Sequence, residues 1–395
     1  MNTEKYDVVI IGGGINGVGV AQAAAARGYS TLLLEKHSQL AMETSSRSSK
    51  LIHGGLRYLE SFEFSLVRES LKERELLLKL APDLVHLQKF NIPVYKDTQR
   101  SALTLHLGLS FYALLAGLHK QHLYHQLKPQ HWHTLDGLQT KNLKTVFQYN
   151  DAQTDDVALT RAVMASALSL GAEYQCDAEF IRADIDKNNV IVQYHQSAIT
   201  KTVSASVLIN ASGPWMYKVN QQIYPQTKIA KPDLVQGTHL VVKNPVSQAY
   251  YLEAPQDKRA VFLLPWKSHA LLGTTEHLYH DDPAQVHMLD NEKAYLLEVY
   301  DYFFPAHEKD ILQTMTGCRV LPAAGNALFK RSRETHFEVN NTVQPRALSI
   351  VGGKLTVYRQ TANKVINIIR QTLPEKTAIA DTASLKLTPV DSLPD

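Results

Sequence analysis

Continuous apolar runs and helical stripes alternate along the chain. Residues 6–11 are apolar almost without interruption, as in a parallel strand buried on both faces. An alanine-rich helical stretch over 15–27 follows, and Gly28 is placed to stop it. Residues 30–34 form a second short apolar strand ending at Glu35, completing the start of a βαβ unit. Residues 61–80 carry helical periodicity with mixed charges. Asp155 or Asp156 can cap a helix over 157–170. Strands are expected at 172–176, 180–185 and 203–210, with Asn188–Asn189 turning the chain into another at 190–194. The pattern then becomes antiparallel, with strands at 238–242, 260–264 and 270–273, and a helix over 292–304. A strand at 348–351 runs into Gly352–Gly353 and a closing helix over 355–373. The tail after Pro374 has no strong periodicity. These elements predict an α/β domain built from 1–90, 150–215 and 340–395. A second, mainly antiparallel α+β domain is inserted as 91–149 and 216–339.

Composition narrows the class. The 395 residues are 44% hydrophobic and 20% charged, enough for a real core. A disordered chain, a fibrous repeat and a disulfide-stapled miniprotein are excluded. Forty-one basic residues against 38 acidic give a formal charge of +3, too even for a nucleic-acid binder. Cys176 and Cys318 lie far apart without metal-type spacing, which suits a reducing compartment. The first 14 residues read as a strand and glycine turn rather than a signal peptide. No stretch reaches the roughly 20 apolar residues that span a bilayer. A cytoplasmic location is expected.

Gly12-x-Gly14-x-x-Gly17 stands between the first strand and the first helix. Alone the spacing is weak evidence; with an acid at Glu35 ending the second strand it is strong evidence for a Rossmann-type dinucleotide site. Gly12 permits the tight turn, Gly14 lets backbone approach a pyrophosphate, and Gly17 lets helix pack on strand. The helix N-terminus carries roughly half a positive charge, which suits a diphosphate. Glu35 can accept from ribose hydroxyls. The motif does not separate NAD from FAD. Two later segments favour a long cofactor crossing the whole domain. VLINASGPW at 207–215 is an apolar strand breaking at small residues, and SIVGGKLT at 349–356 is a strand, two glycines and a helix start. A helix N-terminus aimed at a flavin would stabilise negative charge on the reduced ring.

The segment TSSRSSKLIHGGLRYLE at 44–60 closely resembles the signature of the FAD-dependent glycerol-3-phosphate dehydrogenases, in the D-amino-acid-oxidase-like flavoprotein superfamily. The resemblance continues through IIGGGINGVG, LINASGPW, GTHLVV at 237–242, LLPW at 263–266, LLGTTE at 271–276, TGCR at 316–319 and VGGKLTVYR at 351–359. It implies a discontinuous Rossmann-type FAD-binding domain with an inserted substrate domain. The implied reaction oxidises sn-glycerol 3-phosphate to dihydroxyacetone phosphate by hydride transfer to flavin N5, with electrons passed to membrane quinone. The cofactor-binding residues implied are Gly12, Gly14, Ile15, Asn16, Gly17, Glu35, Lys36, Thr44, Ser45, Ser46, Ser49, Leu51, His53 and Gly54. Ala211, Gly213, Trp215, Gly353, Lys354, Leu355 and Thr356 complete that set. Arg57, Tyr58, Thr275 and Arg333 are implied as substrate-binding, and His239, Arg319 and Lys354 as catalytic. No metal is expected.

The chemistry of these residues agrees with an anionic substrate, since arginine forks match phosphate geometry. His239 is the candidate general base, because an ordinary histidine titrates near neutrality. Taken singly, a strand arginine is usually a surface ion-pair partner and a histidine a core residue. Cys318, beside Arg319, is expected to face the core. The family continues into a C-terminal helical domain, whereas this sequence runs to Asp395, which leaves the oligomer and the acceptor path open. Dioxygen as acceptor, another small anionic hydroxy or amino acid as substrate, and a non-catalytic flavin-binding subunit are the alternatives. Residues 98–135 contain no acid, six of the 17 histidines, and an apolar stripe at Leu103, Leu107, Phe111, Leu114, Leu115 and Leu118. The stripe suits either a peripheral contact with anionic membrane or a core helix. His119, His122 and His125 would partly align on such a helix.

Overall fold

The computed structural model describes residues 3–118, 120–323 and 334–393, with the backbone alone for Arg57 and Lys120. His119 and Arg333 lie outside the described residues. The helices are α1 (Ile15–Ala26), α2 (Phe64–Leu80), α3 (Ala102–Leu115), α4 (Asp156–Ser169), α5 (Met216–Asn220), α6 (Asp290–Phe303) and α7 (Tyr358–Ile369).

Two sheets divide the work. The first is centred on Glu4–Ile11, which pairs in parallel with Thr31–Leu34 on one side and Ile199–Asn210 on the other. Glu173–Gln175 and Ala347–Val351 extend the parallel core at its two ends. Strands Ala178–Ile185 and Val190–Gln196 add an antiparallel layer through the first half of Ile199–Asn210. Val8 and Ile10 pack with Val18, Ala21, Val163 and Val365 beneath α1, α4 and α7. Val9 and Ile11 face Val190, Val192 and Tyr194 on the other side. Burial on both faces explains why this strand reads as a continuous apolar run. Asp155 is the cap of α4, accepting from Val157 N at 3.0 Å and Ala158 N at 3.1 Å.

The second sheet holds Asp233–Val242 between Ile311–Leu321 and His269–Gly273, all antiparallel. Its far end is the antiparallel pair Val85–Tyr95 and Leu143–Thr154. The domain boundaries expected at 90/91 and 149/150 fall inside these two strands, which run unbroken. One face buries α6 through Leu296, Val299 and Phe303; the other buries α2 and α3 through Leu71, Leu109 and Tyr112. The helix-compatible stripe within 98–135 falls on α3, which ends at Leu115, so Leu118 lies beyond it. His122 and His125 then occupy a 3-10 turn and a short strand, so they share no helical row.

Candidate active site

A cleft of about 400 Å³ runs between the two sheets. Its floor is the turn from Glu4–Ile11 into α1. Gly12 adopts φ +106°, and a Cβ there would lie 2.7 Å from the Ala211 carbonyl oxygen, so both conformation and space require glycine. Gly17 does not line the cleft. A Cβ on it would sit 1.9 Å from Gly12 O, which is the close helix-on-strand approach expected of it. Glu35 lines the cleft and accepts from Gly13 N at 2.6 Å and His37 N at 2.9 Å. Its carboxylate braces the glycine turn and retains lone pairs for a further donor. Ser45 Oγ accepts from Ile15 N at 3.0 Å at the start of α1.

The cleft is lined from end to end by the expected cofactor residues. At one end Lys36 Nζ lies 3.3 Å from the Trp215 ring centroid, beside Gly213. At the other stand Leu51, His53, Gly353, Lys354, Leu355 and Thr356, with Ala211, Asn16, Thr44 and Ser49 between. Asn16 donates to Gly352 O at 3.3 Å, while its Oδ1 is buried with no hydrogen-bond partner. Lys354 Nζ lies 3.8 Å from the Tyr58 ring centroid. Besides Gly17, two expected cofactor residues are turned elsewhere. Ser46 bonds its hydroxyl to Glu43 O, and Gly54 faces Leu71 and Tyr112 rather than the cleft. Thr275, expected to bind substrate, is fully buried; it accepts from Thr238 N and donates to Glu292, which fastens α6 to the sheet.

The second sheet brings Arg319 and His239 to the cleft wall. Arg319 donates to Glu276 Oε1 at 3.1 Å and to Thr275 O at 3.1 Å, so its guanidinium is aimed by two partners. Gly237 makes the room, since a Cβ there would be 2.7 Å from Arg319 Nη2. His239 lies against Gly273, and its Nε2 is 2.9 Å from Ser49 Oγ. Its Nδ1 is buried without a partner, so the ring meets the cleft through Nε2 and Ser49. Burial, then the nearby charges of Arg319 and Lys50, push its pKa down from 6.5 to about 3. This corrects the expectation of a histidine titrating near neutrality. Cys318 is buried as expected, and burial pushes its thiol up to about 12.

A stability consequence follows for His239. Between pH 6.5 and about 3 the unfolded chain takes up a proton here and the folded chain does not. The contribution is therefore complete above pH 6.5 and lost on acidification. At pH 5 the loss amounts to about 2 kcal/mol. Denaturant melts of the apoprotein at pH 7 and pH 5 check it, since His239→Gln should show a smaller pH dependence. Equal dependence in the two proteins would refute the assignment.

Several groups around the site are not among the residues singled out in the sequence. Lys50 Nζ forms an ion pair with Asp156 Oδ1 at 2.5 Å, both buried, and Ser48 donates to the same carboxylate. Arg47 lines the cleft and donates to Thr316 O at 2.8 Å. Glu276, which aims Arg319, is a third.

Residues 7–359 match the FAD dependent oxidoreductase family. A glycerol-3-phosphate dehydrogenase of Synechocystis is 36% identical over 392 residues, covering 92% of this chain and 69% of that one. A D-erythritol 1-phosphate dehydrogenase of Brucella abortus is 34% identical, covering 94% and 75%. The crystal structure of the glycerol-3-phosphate dehydrogenase from Bacillus halodurans complexed with FAD superimposes with a TM-score of 0.74. It is 26% identical, and the match covers 97% of this chain and 68% of that one. The glycine turn, the buried open acceptor of Asn16 and the long cleft fit the same group, and FAD is the cofactor. The chain belongs to the FAD-dependent oxidoreductase family, in the part of it that holds the glycerol-3-phosphate dehydrogenases.

Proposed function

We propose that the protein oxidises sn-glycerol 3-phosphate to dihydroxyacetone phosphate and passes the electrons to a membrane quinone. The observation that carries the reading is one cleft holding the dinucleotide turn at one wall and Arg319, His239 and Lys354 at the others. Bound FAD supplies a two-electron acceptor for the substrate carbon. Arg319, held by Glu276 and the Thr275 carbonyl, stabilises negative charge developing on the C2 oxygen. His239 is neutral at physiological pH and receives the hydroxyl proton by way of Ser49 Oγ. Lys354, over the Tyr58 ring, adds positive charge at the same end. Arg57 and Arg333 are assigned to the phosphate by resemblance alone.

A membrane contact draws support from α3. Leu103, Leu107, Leu114 and Leu118 are more than half exposed. Phe62, 79% exposed, stacks edge-on with Phe64, which in turn meets Phe111 on α3. Such a contiguous apolar face suits the lipid interface. The basic component is smaller than expected, because Arg100 is tied to Glu60 and Glu253. No helix among the described residues is long and apolar enough to cross a membrane.

Anaerobic mixing with glycerol 3-phosphate should remove the flavin absorbance, and glycerol should do so far more slowly, since phosphate binding energy serves orientation at C2. Reoxidation should be fast with quinone in anionic vesicles and slow with dioxygen. Equal rates with glycerol would sink the substrate claim. Preference for erythritol 1-phosphate would move it to a longer polyol phosphate, and fast dioxygen turnover would replace the acceptor.

A further inference from the structure

A buried polar chain reaches the cleft from behind. Arg74 on α2 donates from Nη1 to Asp151 Oδ1 at 2.8 Å, and its Nη2 lies 2.9 Å from His122 Nδ1. The Tyr112 hydroxyl on α3 donates to Asp151 Oδ2 at 2.8 Å and accepts from Gly54 N at 2.9 Å. Arg74, Asp151, Tyr112 and His122 are all at most 4% exposed. Burial and the Asp151 charge push the Tyr112 hydroxyl far above its ordinary value, so it stays protonated and donates. A charged group this deep persists only when paired and hydrogen-bonded; Glu75 takes Arg74 Nε and Nη2 at 3.2 and 3.1 Å, and the Gly54 amide closes the other end of the set.

The amide is the point of contact with the site. His53, one residue earlier, lines the cleft, and its N donates to Thr356 Oγ1 at 3.1 Å. The segment is thus fixed on one side by Thr356, in the 3-10 turn that leads into α7, and on the other by Tyr112. There is no slack behind it, since a Cβ on Gly54 would lie 2.6 Å from Tyr112 Oη and 2.8 Å from Leu71 Cδ2.

We propose that Tyr112 is a positioning residue of the FAD site: held by Asp151 and Arg74, its hydroxyl fixes the Gly54 amide and so the cleft-facing His53. The inference rests on the cleft being where FAD binds.

Tyr112→Phe removes the hydroxyl and nothing else. It leaves the Gly54 donor and one Asp151 oxygen short of a partner in a buried place. FAD titrated into the apoprotein should bind about tenfold more weakly, and the visible bands and midpoint potential of the bound flavin should move. Phe303→Leu, at the buried end of α6, lowers the melting temperature without touching this chain and should leave affinity, bands and potential as in wild type. Tyr112→Phe with wild-type affinity, bands and potential overturns the proposal, whatever its melting temperature. If Tyr112→Phe does not fold, Gly54→Ala displaces the same contact from the loop side and should raise the FAD dissociation constant as much; an unchanged constant overturns the proposal. Hydrogen exchange on the unaltered apoprotein gives a further check, with slow exchange expected at the Gly54 amide and fast exchange contradicting the bond. A wild-type chain that binds no flavin would instead overturn the reading of the cleft.

Discussion

Gly14→Val is expected to yield a folded apoprotein that no longer retains FAD. The three glycines of the turn are glycine for different reasons. Gly12 needs its positive φ, and Gly17 has Gly12 O where a Cβ would be, so substitution at either damages the turn itself. Gly14 has φ −79°, open to any residue, and a Cβ there would meet only Ser45 Oγ at 3.1 Å. A serine hydroxyl can give by a few tenths of an ångström. Nothing in the protein's own packing demands glycine at this position. The demand comes from the ligand, whose pyrophosphate must approach the backbone at the N-terminus of α1. A branched side chain should weaken FAD binding by at least a hundredfold, about 2.7 kcal/mol. Circular dichroism and the flavin content of the purified variant are the measurements. A folded Gly14→Val protein with a full complement of FAD would place the pyrophosphate elsewhere.

The nucleotide half of the fold was legible because its signals are local. The continuous apolar run at 6–11, the glycines after it and the acid at Glu35 lie within 30 residues of one another, and the fold brings Ile11, Gly12, Gly14 and Glu35 to one cleft. The second sheet was harder. Strands Val85–Tyr95 and Leu143–Thr154 bury polar residues that break the apolar pattern. Gln148 bonds Asn91 across the pair at 2.8 Å, and Asp151 serves Tyr112 and Arg74. Period-2 reasoning assumes that polar means exposed, and here the polar groups satisfy one another inside. The ion pair of Lys50 with Asp156 joins residues 106 positions apart, so no spacing rule could suggest it. Asp156 was legible only as an alternative to its neighbour as a helix cap. For Arg319 and His239 the residue types suited an anionic substrate, but the resemblance singled them out. Their strands supply the rest, since antiparallel pairing sets Arg319 opposite Val235 and Met315 opposite His239. The perturbed titration of His239 depends on those neighbours and on burial, neither of which a single residue type reveals.

Arg319→Ala should slow flavin reduction by 100- to 1000-fold while changing glycerol 3-phosphate binding little. Charge on the C2 oxygen appears only as the hydroxyl proton and the C2 hydrogen depart, so a donor aimed at that oxygen acts mainly in the transition state. Removing one such donor typically costs about 2.7–4 kcal/mol. The side chain is already aimed before substrate arrives, by Glu276 on Nη1 and the Thr275 carbonyl on Nη2, so little reorganisation is left for the reaction. Arg319→Lys keeps the charge but not the planar fork, and should recover only part of the rate. A second consequence concerns His239. Arg319 is one of the charges that lower its pKa, so the alanine variant should move the histidine's titration upward from about 3. In the native enzyme the limiting rate of reduction should show no His239 inflection between pH 5 and 8, because the ring is already neutral there. In Arg319→Ala the acid limb should shift toward neutrality. Rapid-mixing kinetics across pH separate the two effects. A variant that loses substrate affinity but keeps the native limiting rate would make Arg319 a phosphate ligand and remove it from the chemistry.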